Sequence, residues 1–117
     1  MTQLVELATG RSREIARFPR LGAFDAHRLI GTADGGYTLI ATNHRADRTW
    51  VFALGVDEGL TLRGIRRYRG HPLGPAVASQ LGVSLPFQRR RAATWAPLAI
   101  RPADLRRCRL RDLHGAM

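Results

Sequence analysis

The chain has no lysine: all 19 of its basic side chains are arginine. It has no Asp or Glu between Glu58 and Asp104, a stretch that holds eight arginines. A single cysteine, Cys108, excludes an internal disulfide and cannot by itself build a zinc knuckle. No apolar run approaches the roughly 18 residues that a membrane span requires, so no membrane partner is expected. The first residues, MTQLVELATGRSR, place acid before base and contain no apolar core, unlike a secretory leader. A cytoplasmic location is therefore the expectation. No H-E-x-x-H, G-x-S-x-G or Walker loop occurs. The four histidines, His27, His44, His71 and His114, are scattered along the chain. Together these absences predict no catalytic residue, no metal site and no bound cofactor, in a protein that is not an enzyme.

What is present is ordinary in bulk and uneven in distribution. Hydrophobic content of 44% and charged content of 24% argue against wholesale disorder. A chain of 117 residues is one domain and can bury a core without staples. The formal net charge is +10. Residues 1–60 hold seven arginines and seven acids and are neutral, while 61–117 hold twelve arginines and two acids. A GC-rich genome accounts for arginine over lysine. Arginine is nonetheless the side chain that forks onto phosphate and stacks on bases. A basic half of this size attracts nucleic acid or another acidic surface.

Along the chain, residues 3–8 and 13–18 read as two short strands joined at TGRS, or as helix starts; periodicity does not decide between them. Residues 27–32 and 37–42 read as a hairpin around Asp34-Gly35-Gly36. In TWVFALGV (49–56), period-two alternation places Trp50, Phe52, Leu54 and Val56 on one face. Residues 60–66 form the return strand. The expected core is Leu29, Leu39, Trp50, Phe52, Leu54 and Leu62. Beyond Gly70, Pro72 and Pro75 argue against a central strand. Pro75 opens a helix to about Leu81, stopped at Gly82. Ser84 caps a second helix running to about Trp95, and Pro102 opens a third over 102–113. The predicted fold class is α+β: an N-terminal antiparallel β-meander followed by a helical, strongly basic C-terminal half. Within the single domain 1–117, residues 1–66 are mainly β, and 67–117 mainly α and loop.

The stretch AVASQLGVSLPFQRRR (76–91) carries Ala78, Leu81, Gly82, Val83 and Ser84 in an A-x-x-L-G-V-S pattern. It resembles the helix-turn-helix of bacterial transcriptional regulators. The resemblance implies that the helix from Ser84 enters a major groove, with Gln88, Arg89 and Arg90 at base edges. Without it, the segment is a short amphipathic helix on the sheet followed by a basic loop. A second stretch, YRGHPLGPAVASQL (68–81), is similar to the acetyl-CoA pyrophosphate loop of GNAT acetyltransferases through Arg69 and Gly74. That likeness implies phosphates held at a helix N-terminus, although Pro72 stands where a glycine belongs.

Two basic clusters, RRYRG (66–70) and QRRR (88–91), flank this segment. The candidate nucleic-acid-binding residues are Arg66, Arg67, Tyr68, Arg69, Gln88, Arg89, Arg90 and Arg91. Tyr68 and Trp95 are aromatics beside arginines, an arrangement that can stack bases, although core packing is the expectation for Trp95. His44 and Asp47 could pair, against the simpler expectation of a solvated turn. Cys108, between two arginines, is expected as a half-buried helix residue. The function expected is nucleic-acid binding without catalysis, DNA ahead of RNA, by a regulator or accessory factor of a bacterial, phage or plasmid system. The alternatives are a module or inhibitor that docks an acidic protein or nucleoprotein complex, and a divergent GNAT-like acetyltransferase. Oligomeric state is left open.

Overall fold

The computed structural model describes residues 2–8, 10–18, 24–56 and 59–107. The elements are β1 (Thr2–Ala8), β2 (Arg11–Phe18), β3 (Ala26–Gly31), β4 (Tyr37–Asn43), β5 (Arg48–Val56) and β6 (Leu60–Pro72). They continue with β7 (Val77–Ser79), β8 (Gly82–Arg89), β9 (Ala96–Ile100), a 3-10 turn at Pro102–Asp104, and β10 (Arg106–Arg107). All pairings are antiparallel. Strands β1 and β2 form a separate hairpin. The larger sheet runs β3-β4-β5-β6-β8-β7, with β9 on the other edge of β8 and β10 beside β6. It curls into a half-barrel.

Strand β6 makes the curl. Residues 60–69 run along β5, with an irregularity in register at Arg63, and the last three, Gly70–Pro72, pair with β8. The change of partner falls at Gly70, where φ is 136°. A side chain there would collide with the Gln88 carbonyl and the Phe87 ring. Only glycine fits both that conformation and that approach. The open side of the curl lies between β3 and β7, where the Arg28 guanidinium donates to the Gly74 carbonyl.

The curl gives the central strands two buried faces. Inside it, Ile40, Val51 and Tyr68 pack against Val83, Leu85, Phe87, Leu98 and Ile100. On the outer face, Ala41, Trp50, Phe52 and Ile65 form a second cluster, with Leu4, Phe24, Leu39 and Leu62 packed on it. The β1–β2 hairpin supplies part of this cover. Glu6 and Arg13 pin it: the Leu60 N–H donates to Glu6 Oε2 at 3.0 Å, and Arg13 Nη2 donates to the Leu60 carbonyl at 2.6 Å. The Leu60 N–H and the Arg13 guanidinium, which also donates to Glu6 Oε1 at 2.9 Å, favour the charged form of Glu6 and hold its carboxyl below the usual range.

The helical C-terminal half is not present, and the α+β class is replaced by an almost all-β fold. Residues 67–107 are mainly strand, and the only helical residues described are Pro102–Asp104. The 76–91 segment is a hairpin, not a helix-turn-helix: Ser79 pairs with Gly82 around a turn at Gln80 and Leu81. Val83, Leu85 and Phe87 point inward at period two, while Ser84, Pro86 and Gln88 face outward. Gly82 lies in a strand at φ 143°, where a side chain would strike the Ile100 carbonyl. Pro86 is tolerated because it faces Pro97 across β9, and two residues without N–H can oppose each other at a non-hydrogen-bonded position. Its other side faces the gap between β6 and β7, where its carbonyl accepts from Leu73 N–H at 2.9 Å. The helix needed for a pyrophosphate loop after Gly74 is likewise absent, since 77–79 is β7. In place of the third helix stand the 3-10 turn and β10; residues 108–113, including Cys108, lie outside the described residues. Of the expected core, Trp50, Phe52 and Leu54 are buried, Leu39 and Leu62 are half-buried, and Leu29 is 56% exposed.

Candidate nucleic-acid interface

The register of β4, β5 and β6 sets out the basic residues in rows. His27, Ala41, Trp50 and Arg67 lie opposite one another across four strands. The next row is Asn43, Arg48 and Arg69. Both rows are on the outer face. Arg48 and Arg69 are directly opposed, which places their Cβ atoms about 4.5–5.5 Å apart. Like charges in that position destabilise a sheet. Arg67 lies one row away with its guanidinium 5.7 Å from the centre of the Trp50 ring. All three arginines are exposed, and among the described residues no carboxylate pairs with any of them.

The second cluster arrives beside the first through β8. Gly70 pairs with Arg89, and Arg90 N–H donates to the Arg69 carbonyl at 3.1 Å. Arg89 and Arg91 are exposed. Arg90 is occupied: its Nε lies 3.5 Å from Asp47 Oδ2, and its Nη2 donates to the carbonyls of Ala46 and Asp47. It locks the turn between β4 and β5 onto the end of β8. Gln88 is also spent internally, donating to the carbonyls of Arg89 and Ala92 at 3.1 and 3.0 Å. Arg66 lies on the other face of β6, 4.8 Å from the Tyr68 ring centre, and donates to the Asp104 carbonyl at 3.3 Å. Tyr68 itself is 4% exposed, edge-on to Phe87 inside the curl. Burial raises its pKa above the ordinary phenol value. Trp95 is the reverse: core packing was expected of it, and it is 55% exposed. It stands in the same β8–β9 loop as Arg90 and Arg91, just before Ala96, which pairs with Phe87.

Sequence separation hid a histidine pair at this end. His44 Nδ1 is 2.7 Å from Asp25 Oδ1, and His71 Nδ1 is 2.7 Å from Asp47 Oδ1. The ring centres are 5.8 Å apart. His44 and Asp47, for which a solvated turn was the expectation, do not pair with each other but with Asp25 and His71, across 19 and 24 residues. His44 also donates its backbone N–H to Asp25 Oδ2, and the His44 contacts hold the Asp25 carboxyl below its usual range. The acids at this end are therefore engaged by histidine or by Arg90, not by the exposed arginines. Among the described residues no group of three or more His, Cys, Asp or Glu could hold a metal ion. No helix among them is long and apolar enough to cross a membrane.

Comparison with protein-family models, with curated proteins and with solved structures finds no match. The chemistry of this end therefore has to be inferred from its own geometry. Arg67, Arg69, Arg89 and Arg91, with Arg48 and Arg45, make an exposed basic end; Arg66, Tyr68, Gln88 and Arg90 are tied into the fold. Arg48 and Arg45 escaped the sequence reasoning because they sit in the neutral half. The signal that could have found Arg48 was the hairpin pairing of 48–56 with the strand that follows it.

Proposed function

We propose that the protein is a non-enzymatic nucleic-acid-binding factor that holds the phosphate backbone on this basic end, with DNA as the first expectation. Arg48, Arg67 and Arg69 form the centre of the surface, and Arg45 and Arg91 its margin; Arg89 is exposed at the same end but on the Tyr68 side of the sheet. The observation that carries the proposal is the directly opposed pair Arg48 and Arg69, with Arg67 in the next row and, among the described residues, no carboxylate on any of them. The fold keeps a like-charge pair together although it costs stability. An anion lying across the two guanidinium groups turns that cost into a bidentate contact. Trp95, in the β8–β9 loop that also carries Arg90 and Arg91, adds an exposed ring on which an unpaired base can stack. A flat or curled sheet end of this kind grips backbone and bases without entering a major groove, so sequence preference is weak.

A mobility-shift assay with single- and double-stranded DNA and RNA of the same length, over a salt series, tests this. Binding that weakens log-linearly with salt, at about −0.9 per phosphate on duplex and about −0.7 on single strands, is expected. Tighter binding to the single strand, lost in Trp95→Ala, is the expected contribution of stacking. Absence of binding to every probe at low salt overturns the proposal and leaves an acidic protein as the partner for the same arginines.

A further inference from the structure

The outer face of the sheet changes character along its length. At one end are the arginine rows. At the other, the β1–β2 hairpin stands off the sheet and leaves an apolar cavity of about 520 Å3. Its walls include Leu4, Val5 and Ile15 from the hairpin, and Leu29, Leu39 and Phe52 from the sheet. Among the described residues no Asp, Glu or Arg lines it. The volume is in the range of small-molecule sites, which are mostly apolar with a few placed polar groups. Leu29 and Val5 remain 56% and 41% exposed at its walls, so the two core layers do not close on each other.

The ends of the cavity differ in charge. The Leu60 end meets the Glu6–Arg13 clamp, where both charges are already satisfied. The opposite end is marked by His27 and Ala41. That row continues across Trp50 to Arg67, whose guanidinium has no carboxylate partner among the described residues. Asp25, the acid nearest in sequence to His27, is held by His44.

We infer that the cavity between the N-terminal hairpin and the sheet binds an amphipathic anion: a single apolar chain or ring system between the hairpin and Leu29, Leu39 and Phe52, with a phosphate or carboxylate head toward His27 and Arg67. The apolar body replaces water against leucine and phenylalanine side chains. The head meets a cation whose attraction is not already spent. Such a ligand also ties the hairpin to the sheet and raises the stability of the folded state by mass action.

Dodecyl phosphate, dodecanoate, dodecanol and inorganic phosphate, each below micelle-forming concentration, are titrated into the full chain. Thermal melting and calorimetry are the readouts. Dodecyl phosphate and dodecanoate are expected to raise the melting temperature and to bind at least tenfold more tightly than dodecanol. Inorganic phosphate alone is expected to give no shift. Leu29→Trp, at an exposed position, is expected to fill the cavity and abolish binding of all chain ligands while leaving the protein folded and its oligonucleotide binding intact. Arg67→Ala is expected to remove the preference for the charged head but keep dodecanol binding. Equal affinity for dodecanol and dodecyl phosphate overturns the head subsite, and no binding of any chain ligand overturns the site. Full binding retained in Leu29→Trp places the ligand elsewhere and also overturns it.

Discussion

Arg69 and Arg90 are joined by a backbone hydrogen bond and do opposite things. Arg90 is two-thirds buried, and its guanidinium is divided between a carboxylate and two carbonyls of the neighbouring turn. Arg69 is exposed, faces Arg48, and has no carboxylate within reach among the described residues. One arginine is used up in holding the end of the half-barrel together, and the other is left available on the surface so formed. A run of arginines in a sequence therefore does not measure a binding surface. What matters is which guanidinium groups the fold has already satisfied.

The same division, between side chains that hold the fold and side chains left for a partner, sets the order of expected effects. The largest belongs to the inside of the curl. Phe87→Ala should cost about 3–5 kcal/mol in denaturant unfolding, because the ring is 1% exposed among Tyr68, Leu85 and Leu98. An unchanged midpoint would place Phe87 outside the core. Next comes Arg90→Ala. Losing its charged hydrogen bonds to the 44–47 turn should cost about 1.5–3 kcal/mol, with little change in the salt slope of binding. A flattened slope at intact stability would put Arg90 among the binding groups and dissolve the contrast with Arg69.

A third effect comes from Tyr68, which burial keeps neutral. Its pKa is raised in the folded state, so the stability it contributes is fully present below about pH 10, the unfolded phenol value. That stability is lost as pH rises from there through the folded value. Unfolding midpoints measured from pH 8 to 12 should fall in the native chain, and the fall should be shallower in Tyr68→Phe. Parallel pH curves would mean that the phenol is accessible. Smallest in stability should be Arg48→Ala and Arg69→Ala, each within about 0.5 kcal/mol, as for exposed positions generally. Removing one of two facing positive charges even favours a slight gain.

Much of this was legible in the first half of the chain. The hairpin around Asp34–Gly36 and the strands at 37–42 and 49–56 were visible as alternation bounded by turn residues, and the structure has them within a residue or two. The inward role of Val51, which is fully buried, was missed because alternation alone assigns it to the far side of Trp50 and Phe52. The near-continuous apolar run TWVFALG was the better signal, since a strand buried on both faces loses its alternation. In the second half, Pro75, Gly82 and Ser84 are equally good punctuation for helices and for hairpins. Val83, Leu85 and Phe87 carried the period-two pattern that decides for a strand, and proline at 86 masked it. Pro86 fits only because of a gap in strand pairing that no local pattern announces. The roles of Arg90 and Gln88 were not readable at all. Arg90 depends on the 44–47 turn meeting the end of β8 across more than 40 residues, and Gln88 on the 89–92 turn that follows β8 in place of the expected helix.

In the proposed function Arg48, Arg67 and Arg69, which no carboxylate engages among the described residues, meet phosphates. The most direct test is the log–log salt dependence of binding to one oligonucleotide, compared between the native chain and Arg48→Ala/Arg67→Ala/Arg69→Ala. The melting temperature of each protein is measured alongside. If the three side chains each displace one counterion, the slope should flatten by roughly two to three units while the fold stays intact. A native slope retained in the triple variant, or oligonucleotide binding that never depended on salt, would contradict it.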